Sequence, residues 1–230
     1  MRFVALALMV GVSSGAAWHA AAGAQSLNPK AMEPLAQYLM PKASEIALAR
    51  SAAPPSISDK AEIMVLGPTG YTTAVKGTNG FLCLVERSWS NSTDAADYWN
   101  PKDRSPTCLN AAAARTFEPI YFLKTSLALA GKSPKEIHRA IAAAFDETRL
   151  PALQPGAMSY MMSKQQYLHP DIGNWHPHVM FYAAGDAANS WGANLAKSPV
   201  LASYDPEERA TTFMVVVGKW SDGTGAPHVH

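Results

Sequence analysis

Two textures alternate along this chain, and their order restricts its fold more than any other feature. Residues 61–89 read as strands, residues 118–149 as helices, and residues 157–219 as strands again. In the first block, the short apolar run 62–66 ends at Gly67-Pro68-Thr69-Gly70, a strong turn signal. Residues 71–76 carry Tyr, Val and two Thr, types that suit a pleated surface. Gly77-Thr78-Asn79-Gly80 then turns the chain into the apolar run 81–87, so the spacing predicts a three-strand meander. Strands, helices and strands in succession, without strict βα alternation, predict an α+β fold. Its sheet is expected to be mainly antiparallel, built from the N-terminal meander plus C-terminal strands, with two central helices packed on it.

The helices are marked by their ends. Ser133-Pro134-Lys135-Glu136 is a capping box, with Ser as N-cap, Pro at the first helical position and Glu three residues after the cap. It predicts a helix over 134–149 that places Ile137, Ile141, Ala144 and Phe145 on one face. The apolar segment 120–130 follows Glu118-Pro119 and stops at Gly131, which predicts the other central helix. The polar stretch 90–107 reads as a long loop pinned at Cys108. Residues 157–162, 178–183 and 211–219 have strand composition. Residues 29–52 are rich in helix formers but broken at Pro34 and Pro41, which predicts short N-terminal helices. The expected organisation is a leader at 1–24, a helical segment and linker at 25–57, one α+β domain at 58–222 and a flexible tail at 223–230.

The leader sets the compartment. Arg2 precedes a short apolar run, and small residues lead to Ala22-Gly23-Ala24, the pattern of a cleaved signal peptide. The run is shorter than the ~20 residues that span a bilayer, so no stable membrane insertion is expected after cleavage. The mature chain is expected to begin at Gln25 and to be exported, periplasmic or secreted. Cys83 and Cys108 are the only cysteines, and an oxidising compartment predicts a disulfide between them. The loop-entropy contribution of such a bond is roughly 3 kcal/mol.

Charge narrows the partners. The chain has 19 basic and 18 acidic residues, and Arg2 leaves with the leader. A balanced mature chain lacks the concentrated positive charge that captures nucleic acid or an anionic membrane. No G-x-S-x-G, S-x-x-K, G-x-G-x-x-G or P-loop pattern occurs, so nucleophile elbows and phosphate cradles have no sequence support.

The most suggestive constellation is Asn174-Trp175-His176-Pro177-His178. On extended backbone, His176 and His178 project to one side, where two imidazoles can share a divalent metal. A zinc site needs a third ligand, for which His169 and Asp171 are nearest. Zinc is preferred over copper. Met158, Met161, Met162 and Met180 offer thioethers, but Met161 and Met162 would point to opposite faces of a strand. Without metal, Trp175, His176, His178, Tyr160 and Trp191 form an expected ligand-binding set, since amphipathic aromatics with convergent polar groups line small-molecule pockets. Glu86 and Arg87 are expected to form a strand-end ion pair or, alternatively, an acid/base site. Three functions follow: an exported small-molecule-binding protein, a zinc-type metal-dependent hydrolase, or a structural and interaction module.

Overall fold

The structure is a computed structural model that describes residues 29–169 and 174–226. The leader and Asp171 lie outside the described residues. After a 3-10 turn at Leu35–Gln37 come two short helices, α1 (Lys42–Arg50) and α2 (Pro55–Ser58). Four strands follow: β1 (Glu62–Gly67), β2 (Gly70–Val75), β3 (Leu82–Glu86) and β4 (Ser105–Leu109). The central helices are α3 (Ala111–Leu129) and α4 (Pro134–Asp146). The chain ends with β5 (Met158–Met161), β6 (His178–Ala184), β7 (Val200–Asp205) and β8 (Ala210–Val216). All eight strands form one sheet in the order β2-β1-β3-β4-β5-β6-β8-β7, and the fold is α+β as its sequence order indicates.

The first three strands are neighbours but do not form a meander. β1 and β2 make a hairpin, and β3 crosses to the far side of β1 and runs parallel to it. Burial explains the choice. β3 is apolar on both faces and belongs inside the sheet, whereas Thr72 and Thr73 of the exposed β2 suit an edge. The crossing depends on Gly77, where a Cβ would lie 2.2 Å from the Glu62 backbone nitrogen. Residues 105–107, expected in the long loop, instead pair with β3 as part of β4. Pro106 is accommodated there because β5 pairs only with Cys108 and Leu109. The first central helix begins nine residues before the apolar segment that predicted it. Asn110 caps it by accepting from the Ala113 N–H, and Pro119 lies inside it. Phe117, Ile120, Tyr121 and Ala128 bury one face of the helix on both sides of the proline, and this packing outweighs the lost hydrogen bond. The capping box of Ser133 and Glu136 is present at the start of α4.

The sheet is covered on both faces. On one, α3 and α4 bury Phe117, Ile120, Ile137 and Ile141 against Leu82, Leu84 and Leu109. On the other, Leu48, Ala49 and Ala52 from α1 and the residues after it cover Ile63, Cys83, Val85 and Cys108. Cys83 and Cys108 are directly opposed in the β3–β4 ladder and form a disulfide. Replacing both cysteines by alanine should lower stability by about 2–4 kcal/mol. Urea unfolding of the oxidised protein and of the double variant checks this, and coincident midpoints would refute it. Among the described residues no helix is long and apolar enough to cross a membrane.

Candidate functional site

Sheet register disperses the expected ligand-binding set. His178, Met180 and Tyr182 alternate onto the face that carries α3, and Met161 of β5 pairs with His178 there. Tyr160 pairs with Val179 on the opposite face and packs against Phe81. Trp191 is also on that opposite face, stacked on Phe213 at 4.2 Å between ring centroids. Only Trp175 stays beside the histidines, its ring 4.7 Å from that of His178 and 6.1 Å from that of His176.

His178 itself is 2% exposed. Its Nδ1 lies 2.8 Å from the His176 carbonyl, which can only accept, so Nδ1 carries the proton. Burial pulls its pKa down to about 4 and keeps the ring neutral. His169 Nε2 lies 3.8 Å from Asp97. Among the described residues no three His, Cys, Asp or Glu side chains are grouped to hold a metal ion, and Asp171 is not among them.

A cluster of buried polar groups lies under α3. Lys124 is fully buried on the packed face of that helix. Its Nζ lies 3.1 Å from Glu208 Oε1 and 3.7 Å from Glu207 Oε2, and donates to the carbonyls of Ser90 and Asn91 at 3.3 Å. Burial opposes its charge, but Glu208, Glu207 and Asp205 outweigh burial and raise its pKa. One ammonium thus ties the turn between β7 and β8, and the turn after β3, to the central helix. Asp205 shapes the first of these by accepting from the Glu207 and Glu208 N–H groups at 2.7 and 3.3 Å.

More acids face the same interior. Glu86 is the one residue of β3 that is not fully buried. It lies on the α3 face, while Arg87 turns the other way to pair with Glu45, so the expected Glu86–Arg87 pair does not form. Burial pushes the Glu86 pKa up to about 7, helped by Glu208 and Asp103, with the Thr107 hydroxyl and Lys124 opposing. Asp103 accepts from Ser105 Oγ at 2.7 Å and from Asn91 Nδ2 at 3.2 Å, and burial with the nearby Asp97 raises it to about 7 as well. Both acids hold protons in the folded protein that they would release on unfolding at neutral pH. Their protonation therefore supports the fold fully below the unfolded carboxyl range near pH 4, and this support is lost as pH rises to about 7. Unfolding free energy from urea titrations should fall between pH 5 and pH 7.5, and Glu86→Gln should flatten that slope. An unchanged slope in the variant would remove Glu86 as a source.

The network reaches the surface at Glu208, whose side chain is 15% exposed. It forms part of the wall of a cavity of about 250 Å³ between the end of α4 and the β6–β8 pair. Phe145, Leu150, Leu153 and Ala184 make the apolar walls. Arg209 stands at the rim, its guanidinium 5.0 Å over the Phe145 ring and 2.6 Å from Asp146. Burial raises the Glu208 pKa against the pull of Lys124. A desolvated carboxylate against an apolar wall can accept a strong hydrogen bond from a small guest. One signal in the sequence points here: Lys124 shares the helical stripe of Phe117, Tyr121 and Ala128, where a charge is out of place. No protein-family model, no curated protein and no solved structure matches this chain.

Proposed function

We propose that the protein is an exported small-molecule-binding protein whose pocket is the apolar cavity at Glu208. The observation that carries this reading is the pairing of apolar walls with one desolvated carboxylate, itself anchored by a fully buried lysine. Largely apolar cavities with a few fixed polar groups and perturbed acids are the usual form of a ligand site. The guest that fits is small and mainly apolar, with one hydrogen-bond donor directed at Glu208. The disulfide supports the exported setting, since such bonds persist in oxidising compartments.

Calorimetric titration of the full mature chain with 2-phenylethanol, and with ethylbenzene as a guest lacking the donor, tests the reading. 2-Phenylethanol should bind with a dissociation constant below about 1 mM and more tightly than ethylbenzene. Glu208→Gln should weaken it about three- to tenfold by removing the charge on the acceptor. Leu153→Trp should abolish binding of both by filling the cavity. Equal affinities in wild type and Leu153→Trp would overturn the assignment.

A further inference from the structure

A second opening flanks the same network nearer the start of α4. Thr93, Asp94, Lys135, His138 and Arg139 line a groove of about 540 Å³, within the roughly 300–1,000 Å³ of small-molecule sites. Lys135, His138 and Arg139 follow one another at i, i+3 and i+4, so their side chains share one face of α4. Among the described residues neither Lys135 nor Arg139 has a carboxylate partner. Arg139 Nε donates instead to the Lys135 carbonyl at 3.3 Å. His138 Nδ1 lies 3.4 Å from Thr93 Oγ1 and 3.8 Å from Glu207 Oε1.

Glu207 is the informative neighbour. Its side chain is 2% exposed, its Oε2 accepts from the Thr93 N–H, and its Oε1 has no hydrogen bond. A buried carboxylate oxygen left without a donor is costly, and the His138 ring, 3.8 Å away, is a group beside it that can supply one. An anion seated in the groove can accept from that ring, whose Nδ1 faces the Thr93 hydroxyl and the unsatisfied oxygen of Glu207. Carboxylate, imidazole and bound anion form the series by which an outer acid orients and strengthens a histidine donor.

We propose that this groove binds a small organic anion, a carboxylate or a phosphate monoester. Lys135 and Arg139 supply charge, Thr93 supplies a hydroxyl, and His138 donates with Glu207 behind it. The groups facing His138 from neighbouring elements are Thr93 and Asp94 of the loop after β3 and Glu207 of the β7–β8 turn, with Lys124 behind Glu207. Asp94 is a like charge at the rim, and its removal has a definite sign.

Calorimetric titration of the full mature chain at low salt with phenyl phosphate and with benzoate tests the proposal. Binding of either probe should weaken at least about tenfold in Lys135→Ala/Arg139→Ala, a pair of exposed residues whose loss leaves the fold intact. His138→Gln should also weaken it, and Asp94→Asn should strengthen it about two- to threefold. Leu153→Trp should leave it unchanged, which separates this groove from the Glu208 cavity. Preference for phenyl phosphate identifies a phosphate monoester as the ligand class, and preference for benzoate a carboxylate. Failure of both probes to bind, or equal affinity in the double variant, overturns the proposal.

Discussion

Arg87→Leu is expected to destabilise the protein by about 3–5 kcal/mol, a large effect for a single substitution. The Arg87 and Glu45 side chains have no solvent exposure, and Nη2 lies 2.8 Å from Glu45 Oε1. The same guanidinium donates through Nε to the Tyr38 carbonyl at 2.8 Å and through Nη1 to the Val85 carbonyl. Glu45 Oε1 also accepts from the Leu66 N–H at 3.1 Å, and Oε2 has no hydrogen bond. Removing the arginine strands a carboxylate in the layer between α1 and the sheet and takes the Nε donor from the Tyr38 carbonyl, while the Val85 carbonyl keeps the Tyr71 hydroxyl at 2.7 Å. Against a typical total of about 5–15 kcal/mol, such a loss brings a domain close to its unfolding threshold. Glu45→Leu combined with Arg87→Leu should recover much of the deficit, because an apolar pair of similar volume avoids desolvation altogether. Urea unfolding of the single and double variants decides the matter. A single-variant loss below about 1 kcal/mol would mean that water solvates the remaining carboxylate.

Lys124→Met is expected to cost about 3–5 kcal/mol at pH 7.5 and to alter the protein's pH response. The substitution keeps the volume of the side chain on the packed face of α3 but abandons Glu207 and Glu208 without their shared cation. Protonation can neutralise the abandoned carboxylates. Glu208, whose pKa burial raises, would then bind its proton more tightly in the folded state than in the unfolded one, so the lost stability returns as pH falls towards the unfolded carboxyl range. The variant should therefore lie closer to wild type at pH 5 than at pH 7.5. A deficit independent of pH would show that lost packing, and not lost charge, is responsible. Because Lys124 sits behind both openings, 2-phenylethanol and phenyl phosphate should each bind more weakly to the variant.

Features that rest on neighbours in the chain are legible in the sequence. Ser133 and Glu136 cap α4 because both bonds close within one turn of helix. Gly67-Pro68-Thr69-Gly70 separates β1 from β2 because turn geometry is set by those residues themselves. The two cysteines of an expected oxidising compartment do meet. Where a segment's conformation depends on what covers it, local signals mislead. Pro119 has the position of a residue just ahead of a helix, yet it sits within one whose buried face continues past it. Ser105 to Thr107 have the composition of a loop and form a strand because β3 needs a partner.

Candidate chemistry follows the same division. Residue types near His178 suggest one pocket, but a period of two sends Tyr160 and Trp191 to the sheet face opposite His178. Glu86 and Arg87 are adjacent in sequence and face different layers, one the acids beneath α3 and the other Glu45. By itself the sequence determined the fold class, the cap of α4, the disulfide pair and the balance of charge. Only the tertiary structure decided which acid meets which base, and which of them lose their water. Hydrophobic patterning acts over a few residues, whereas the partner of a buried charge is chosen by the packing of segments far apart in the chain.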